Sequence, residues 1–253
     1  MIFFYSATGN SRFVASHLAS LLRTEALDIL NLQEDFIMPA DNEEPVGFVF
    51  PIYCWGVPPV MQRFIEKILP RIDASRYLFT ICSCGDEAGT AMRTLSRKIS
   101  KTRGRGVDAI FSVIMPNTYV LLPGFDVDSR EVETRKLSAA PERIERIAQI
   151  LKSRQTGVYD VQQGSMPALR SMIFPIFEKW GVFPSKWNVS SACVGCGKCK
   201  AACPARNISM VDDHPVWGSD CYSCCACFHI CPVNAINYGS ITRHKSQYFC
   251  PLK

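Results

Sequence analysis

The sequence predicts an α/β fold, in which a doubly wound five-stranded parallel sheet is followed by a smaller cysteine-rich α+β domain. Short apolar runs alternate with helical patterns through the first half of the chain, as they do in βαβ units. Each run is continuously apolar, which is typical of strands buried on both faces of a parallel sheet. The predicted strands are residues 2–6, 26–30, 46–53, 77–84 and 109–115.

Four helices are predicted to accompany these strands. Apolar residues recur at helical spacing in the segments 13–22 and 60–69. The segments 87–100 and 129–153 complete the set. Right-handed crossovers between parallel strands would place these helices on both faces of the sheet.

The composition narrows the possible functions. The chain of 253 residues has a net charge of +5 at pH 7, and its basic residues are spread out, which argues against nucleic-acid binding and is compatible with acidic partner proteins. Thirteen cysteines, nine of them between residues 193 and 231, occur without a secretory leader or a transmembrane segment of about 20 apolar residues. We therefore expect a cytoplasmic protein whose thiols serve metals or redox chemistry.

The chain is predicted to divide into residues 1–156, a connecting arm at 157–187, and residues 188–253. The arm starts with the linker-like GVYDVQQGSMP and continues with the apolar LRSMIFPIFEKWGVF, in which Pro175 would interrupt a helix. We interpret this segment as an arm packed between the two halves. A membrane-surface anchor is the alternative, although such an anchor normally carries more charge.

Two cysteine runs follow the arm. CVGCGKCKAACP (193–204) and CYSCCACFHICP (221–232) both read C-x₂-C-x₂-C-x₃-C-P, offset by 28 residues. Zinc usually takes CxxC pairs that lie farther apart. Three cysteines within seven residues can instead surround one face of an iron–sulfur cube, and the proline keeps the fourth from turning back to the same cube. The alternative is a purely structural zinc or cluster module.

This pattern resembles the bacterial two-cluster ferredoxins, in which the fourth cysteine of each run ligates the other cluster. The resemblance covers about residues 188–242 and implies two [4Fe–4S] clusters. One would be held by Cys193, Cys196, Cys199 and Cys231. The other would be held by Cys221, Cys224, Cys227 and Cys203. Cys225 stands where the first run has Gly197, and we interpret it as a spare thiol near the cluster rather than an alternative ligand.

A second motif follows the first predicted strand. SATGNS (6–11) opens the first helix, but it has neither the lysine of a Walker motif nor a GxGxxG turn. Hydroxyls of Ser6, Thr8 and Ser11, with the amides of residues 7–11, would suit a phosphate at the helix N-terminus. The alternative is an ordinary turn and helix cap. The motif resembles the flavodoxin phosphate loop, which implies FMN bound by Ser6, Ala7, Thr8, Gly9, Asn10 and Ser11.

Two later loops support that resemblance. PIYCWGVPP (51–59) and CSCGDEAG (82–89) follow the third and fourth strands, where open α/β sheets bind ligands. In flavodoxins these loops enclose the isoalloxazine ring. The residues implied to contact the ring are Pro51, Tyr53, Trp55, Gly56, Cys84, Gly85 and Asp86. Core packing is the alternative for the two aromatic residues, and MPNTY (115–119) is a further candidate border.

The chain as a whole, apart from the arm, resembles the flavodoxin–ferredoxin fusion proteins of anaerobic bacteria, often called ferrodoxins. The resemblance implies electron transfer between two clusters and an FMN, with one- and two-electron exchange with redox partner proteins. The alternative is an FMN-dependent reductase of a small acceptor such as a quinone, for which Asp86 and Tyr119 are the nearby acid–base candidates. A binding module with structural clusters is a third, weaker interpretation. No catalytic residue is predicted.

Overall fold

A parallel sheet of six strands organises the N-terminal half of the computed structural model, which describes residues 1–33, 36–39, 43–176 and 183–252. The strand order is β2-β1-β3-β4-β5-β6, so the chain reverses its direction of travel across the sheet between β1 and β3. The strands are β1 (Ile2–Phe4), β2 (Ala26–Asp28), β3 (Val46–Pro51), β4 (Leu78–Cys84), β5 (Ala109–Ile114) and β6 (Val158–Asp160).

The predicted fold class is confirmed, but the sheet has one strand more than the five predicted. β6 lies in the segment predicted as the connecting arm and pairs with β5, with Val158 opposite Ala109. Its three residues are too few to show a strand pattern, and the pairing with β5 determines their conformation. The domain boundaries at 156 and 187 stay a prediction.

Helices cover both faces of the sheet. They are α1 (Asn10–Leu22), α2 (Pro59–Ile68), α3 (Ala91–Arg103) and α4 (Arg130–Lys152). Successive strand residues point to opposite faces, so Ile2 and Phe4 pack with α1 and α4, whereas Phe3 and Tyr5 pack with α2 and α3. Both apolar layers are buried, which explains the continuous apolar character of the strands.

The described part of the arm packs against the first half. After β6 it forms α5 (Pro167–Ser171), and the Ser171 hydroxyl accepts a 2.8 Å hydrogen bond from the Thr90 amide. Phe174 lies directly over Gly56, where a Cβ atom would be 2.0 Å from its ring. At the other end of the arm, the Phe183 amide donates to the Tyr238 hydroxyl of the cysteine-rich half at 2.9 Å. Residues 177–182 of the predicted arm lie outside the described residues.

The cysteine-rich half consists of two small antiparallel ribbons and two short helices. β7 (Trp187–Val189) pairs with β10 (Ile236–Tyr238), and β8 (Ile208–Val211) pairs with β9 (His214–Trp217). The helices α6 (Lys198–Ala201) and α7 (Ala226–Ile230) lie within the two cysteine runs, and each contains the third cysteine of its run. No helix in the described ranges is long and apolar enough to span a membrane.

The two halves share a hydrophobic core. Val120 and Leu121, which follow β5, are fully buried against residues of the cysteine-rich half such as Trp187 and Phe228. The Lys245 ammonium holds the same loop, because it donates to the carbonyls of Val120, Leu122 and Phe125 at 2.6, 2.7 and 2.6 Å. This contact places the cysteine runs at the carboxyl ends of the central strands.

Replacement of Gly47 tests the packing of the central sheet. Gly47 lies opposite Phe79 on β4, and an added Cβ atom would be 2.2 Å from the Phe79 ring. Gly47→Ala is expected to lower the free energy of unfolding by about 1–3 kcal/mol through this overpacking. Urea denaturation measures the change. Gly106→Ala is the matched control, since its nearest contact would be the Ser96 hydroxyl at 3.9 Å. Equal stability of the two variants would contradict the described packing.

Candidate functional site

The loop between β1 and α1 is held in a sharp turn. Gly9 has a φ of 96°, in the left-handed region that favours glycine, and its amide donates to the Ser6 hydroxyl at 3.2 Å. Asn10 donates through its side-chain amide to the Pro116 carbonyl at 2.9 Å. The Ser11 and Ser83 hydroxyls are hydrogen bonded at 2.7 Å. These bonds connect the ends of β1, β4 and β5 into one rim.

This rim borders a pocket at the carboxyl ends of the strands, where open α/β sheets bind ligands. The predicted cofactor-binding residues that line it are Ser6, Ala7, Thr8, Asn10, Ser11, Pro51, Tyr53, Cys84 and Gly85. The candidate border at 115–119 also contributes, through residues 116–119. One wall of the pocket, formed by residues 223–225 of the second cysteine run, was not predicted from the sequence. Only the packing of the two halves reveals that wall.

Trp55 and Gly56 do not line the pocket. Tyr53 and Gly56 exchange backbone hydrogen bonds of 3.0 and 2.9 Å, and Cys54 and Trp55 between them have φ values of 45° and 60°. This tight turn directs Tyr53 to the pocket and Trp55 to the arm. The indole nitrogen of Trp55 donates to the Glu87 carboxylate at 2.9 Å. The positions of Tyr53 and Trp55 in the sequence could not show that one side chain faces the pocket and the other faces the arm.

Asp86 and Gly9 also lie outside the pocket lining. Gly9 faces Cys250, whereas Asp86 accepts hydrogen bonds from Lys136 at 3.3 Å and from Asn117 at 3.0 Å. Lys136 and Asn117 bind Asp128 as well, at 2.7 and 3.1 Å. Burial by itself would raise the pKa of Asp128, but these hydrogen bonds hold it below its usual value. The network fixes the loop after β5 beside the pocket.

Two tyrosines connect the pocket with the second cysteine run. The hydroxyls of Tyr53, which lines the pocket, and Tyr5, which is fully buried, are 2.9 Å apart. Burial raises the pKa of both hydroxyls far above the usual value, so both remain protonated. Tyr5 is also within hydrogen-bonding reach of the Cys224 sulfur. The pair therefore forms a polar bridge through an otherwise apolar region.

The cysteines surround two small cavities. One is lined by Cys203, Cys221, Cys224 and Cys227, together with the spare thiol of Cys225. The other is lined by Cys193, Cys196, Cys199 and Cys231. The structure thus brings together the same two sets of four that the sequence resemblance implies, each with three cysteines from one run and one from the other.

The internal repeat is visible in the hydrogen bonds at these cavities. The Asn207 amide donates to the Cys203 sulfur at 3.3 Å, and the Ala235 amide donates to the Cys231 sulfur at 3.2 Å. Both donor and acceptor positions are offset by the 28 residues that separate the two cysteine runs. The two fourth cysteines therefore have equivalent backbone surroundings in the two copies of the repeat.

Only one of the two cavities adjoins the pocket. Cys224 and Cys225 line both the pocket and the first cavity, whereas the second cavity shares no lining residue with the pocket. Cys225 is buried in the left-handed conformation, with a φ of 57°. Burial raises the pKa of its thiol far above the usual value. A redox centre in the first cavity would therefore lie directly beside a ligand in the pocket.

Comparison with known families agrees with the presence of two different halves in this chain. Residues 1–110 match the family described as flavodoxin domain, and residues 185–232 match the family described as 4Fe–4S dicluster domain. These domains define an electron-transfer protein that uses a flavin and iron–sulfur clusters. The chain has the domain organisation of the flavodoxin–ferredoxin fusion that its sequence resembles.

Several solved structures are similar to the first half. Fusobacterium nucleatum flavodoxin bound to flavin mononucleotide is 14% identical, with a TM-score of 0.41 over 61% of this chain and 97% of the flavodoxin. The rubredoxin oxygen:oxidoreductase of Desulfovibrio gigas is 14% identical, with a TM-score of 0.38 over 60% of this chain. A flavodiiron core from Synechocystis is 17% identical, with a TM-score of 0.39 over 61%. The chain spans 36% of each of the latter two proteins. The search of curated proteins found no significant match.

The Thr8 hydroxyl tests the phosphate loop. Thr8 is buried at the pocket wall, and valine has nearly the same shape without the hydroxyl. Thr8→Val is expected to weaken FMN binding by about 1–2 kcal/mol, because a charge-assisted hydrogen bond to the phosphate is lost. Titration of flavin-free protein, followed by flavin fluorescence, measures this change. Thr134→Val on the exposed side of α4 is the control, and unchanged affinity of Thr8→Val would remove the loop from the binding site.

Proposed function

We propose that this protein is an electron carrier that couples two [4Fe–4S] clusters to an FMN and exchanges one- and two-electron equivalents with redox partner proteins. The observation that carries the proposal is the shared wall at Cys224 and Cys225, which borders both the pocket and a four-cysteine cavity. A flavin can take up two electrons, whereas each cluster passes one. The chain's own role is to fix the separation of these groups and to tune their environment.

The first half supplies the FMN site in this proposal. Ser6, Thr8 and the amides of the phosphate loop would hold the phosphate at the start of α1. Tyr53 and the loops that follow β3, β4 and β5 would border the ring. Trp55, Gly56 and Asp86 lie outside the pocket. They would therefore stabilise the neighbouring loops and would not contact the flavin.

The second half supplies the cluster ligands. In each set, three cysteines of one run and one cysteine of the other line the same cavity. This arrangement suits an iron–sulfur cube better than a zinc ion. Amide donors to Cys203 and Cys231 would also hold these two sulfurs in position.

The two cavities would have different tasks. The cavity with Cys224 adjoins the flavin pocket and is the flavin-proximal site, while the cavity with Cys196 is the distal site. Cys196 and its neighbour Val194 are exposed, and Lys198 and Lys200 next to them are exposed as well. A redox partner with an acidic face would therefore dock at the distal site.

The reductase alternative has less support. It would need acid–base groups over the pocket, and the two candidates are Asp86 and Tyr119. The carboxylate of Asp86 is engaged by Lys136 and Asn117. Tyr119 lines the pocket, but burial raises the pKa of its hydroxyl, so it is a poor proton donor at neutral pH.

Cofactor analysis after anaerobic purification tests the proposal. We expect about one FMN and about eight iron atoms per chain, with a matching amount of sulfide, as two four-iron clusters require. Rapid reduction of the flavin through the clusters by a one-electron donor would support the carrier function. Iron without flavin would refute the coupling, and saturable turnover of one small acceptor would favour the reductase.

A pair of cysteine variants separates the two cluster sites. Cys196→Ala and Cys224→Ala should each lose about half of the iron, because each removes one ligand of a different set. FMN affinity should persist in Cys196→Ala and fall in Cys224→Ala, since only Cys224 borders the pocket. Iron analysis and flavin titration measure both effects. Cys82→Ala, a buried cysteine of the sheet, is the control that should keep all its iron. Parental iron content in either ligand variant would contradict the assignment.

A further inference from the structure

We propose that residues 247–250, called here the 247–250 strap, position the phosphate loop for FMN and couple it to the cluster-binding half. This inference rests on the proposed FMN site and adds a segment that lies outside the pocket and far from it in sequence. The strap acts through the phosphate loop rather than by touching the ligand, so its residues are positioning residues.

One end of the strap is fixed to the cysteine-rich half. The Gln247 side-chain amide donates to the carbonyls of Phe228 and Cys231, at 2.6 and 2.8 Å. The Tyr248 amide donates to Nδ1 of His229 at 3.1 Å. Because Nδ1 of this imidazole accepts a hydrogen bond, Nε2 carries the proton and donates to the Thr118 carbonyl at 2.7 Å. The strap and the pocket loop after β5 are therefore held by the same buried side chain.

The other end is fixed to the phosphate loop. The Tyr248 hydroxyl donates to the side-chain oxygen of Asn10 at 2.7 Å, and the Cys250 amide donates to the Thr8 carbonyl at 2.8 Å. Gly9 lies between Thr8 and Asn10. It is so close to the strap that an added Cβ atom would be 2.8 Å from the Cys250 Cβ. Three consecutive residues of the loop thus contact the strap. Tyr248 and Cys250 are both buried in this contact.

These bonds determine where the loop presents its donors. In a trans peptide the carbonyl and the following amide point in opposite directions. Since the Thr8 carbonyl points to Cys250, the Gly9 amide points away from the strap, toward Ser6 at the pocket wall. The Asn10 side chain has both of its polar ends occupied, by Tyr248 and by Pro116, and cannot rotate to another partner. The strap thereby favours the conformation in which amides converge on a phosphate.

The strap also connects the two cofactor sites energetically. Its Gln247 end binds the carbonyl of Cys231, a proposed cluster ligand, and its other end binds the phosphate loop. Ordering of the cysteine-rich half therefore orders the loop, and the affinity for the FMN phosphate should depend on the strap.

Binding of FMN and riboflavin to cluster-loaded protein, compared with the full-length parent, tests this inference. Tyr248→Phe removes only the hydroxyl that binds Asn10, and a chain that stops after Ser246 removes the whole strap. FMN dissociation constants, measured by flavin fluorescence, should rise about three- to tenfold for Tyr248→Phe and further for the shortened chain. Riboflavin lacks the phosphate, so its dissociation constant should be unchanged in Tyr248→Phe.

Tyr77→Phe is the matched control. Tyr77 is as buried as Tyr248 and its hydroxyl also makes one hydrogen bond, to the Gln155 carbonyl at 2.5 Å, but it lies at the amino end of β4. The Tyr77→Phe variant should bind FMN with the affinity of the parent protein. If Tyr248→Phe binds FMN as tightly as the parent, or weakens FMN and riboflavin equally, the strap proposal is wrong. If the parent itself binds no FMN, the proposed function fails first and the strap proposal fails with it.

Discussion

The packing of the second cysteine run against the carboxyl ends of the central strands is the contact on which the rest of the structure depends. Cys224 and Cys225 close the pocket that the first half leaves open, and Tyr5 reaches Cys224 through the apolar interior. Open α/β sheets leave such a crevice at the point where the strand order reverses. Here the crevice is covered by a second domain of the same chain, so the separation between the pocket and the adjoining four-cysteine cavity is set by folding.

Cys225 shows that this contact has a conformational cost. Its left-handed backbone is one that glycine adopts freely, and the first cysteine run has Gly197 at the equivalent position, with a φ of 67°. A side chain in this conformation costs about 1 kcal/mol or more. The thiol offsets part of this cost, because it donates to the Ser223 carbonyl at 3.6 Å. The second run therefore replaces glycine at two left-handed positions that line the pocket, since Ser223 likewise stands where the first run has Gly195.

The sequence predicted the features that depend on local pattern. Buried parallel strands are continuously apolar, so the runs at 2–6 and 77–84 were sufficient to predict the sheet, and this prediction is confirmed. The cysteine spacing likewise predicted sets of ligands, and the structure brings the same sets together around its two cavities. The cofactor assignments of individual residues stay predictions.

Features that depend on partners distant in sequence could not be predicted. β6 is a strand only because β5 offers it an edge. Trp55 faces the arm because the turn at 53–56 has two left-handed residues, which composition does not reveal. The pocket wall at 223–225 and the 247–250 strap arise from the docking of the two halves. Burial lowers the pKa of His229 to about 4, so the imidazole that connects these elements stays neutral, and no motif indicated that role.

The strap also determines when the phosphate loop can be completed. Asn10 and Tyr248 are 238 positions apart, yet they are joined by a buried hydrogen bond. During synthesis the loop emerges early, whereas its supporting tyrosine emerges only after both cysteine runs. Contacts of such long sequence separation form late in folding. A nascent chain that lacks the cysteine-rich half therefore holds the loop after β1 without the support of the strap.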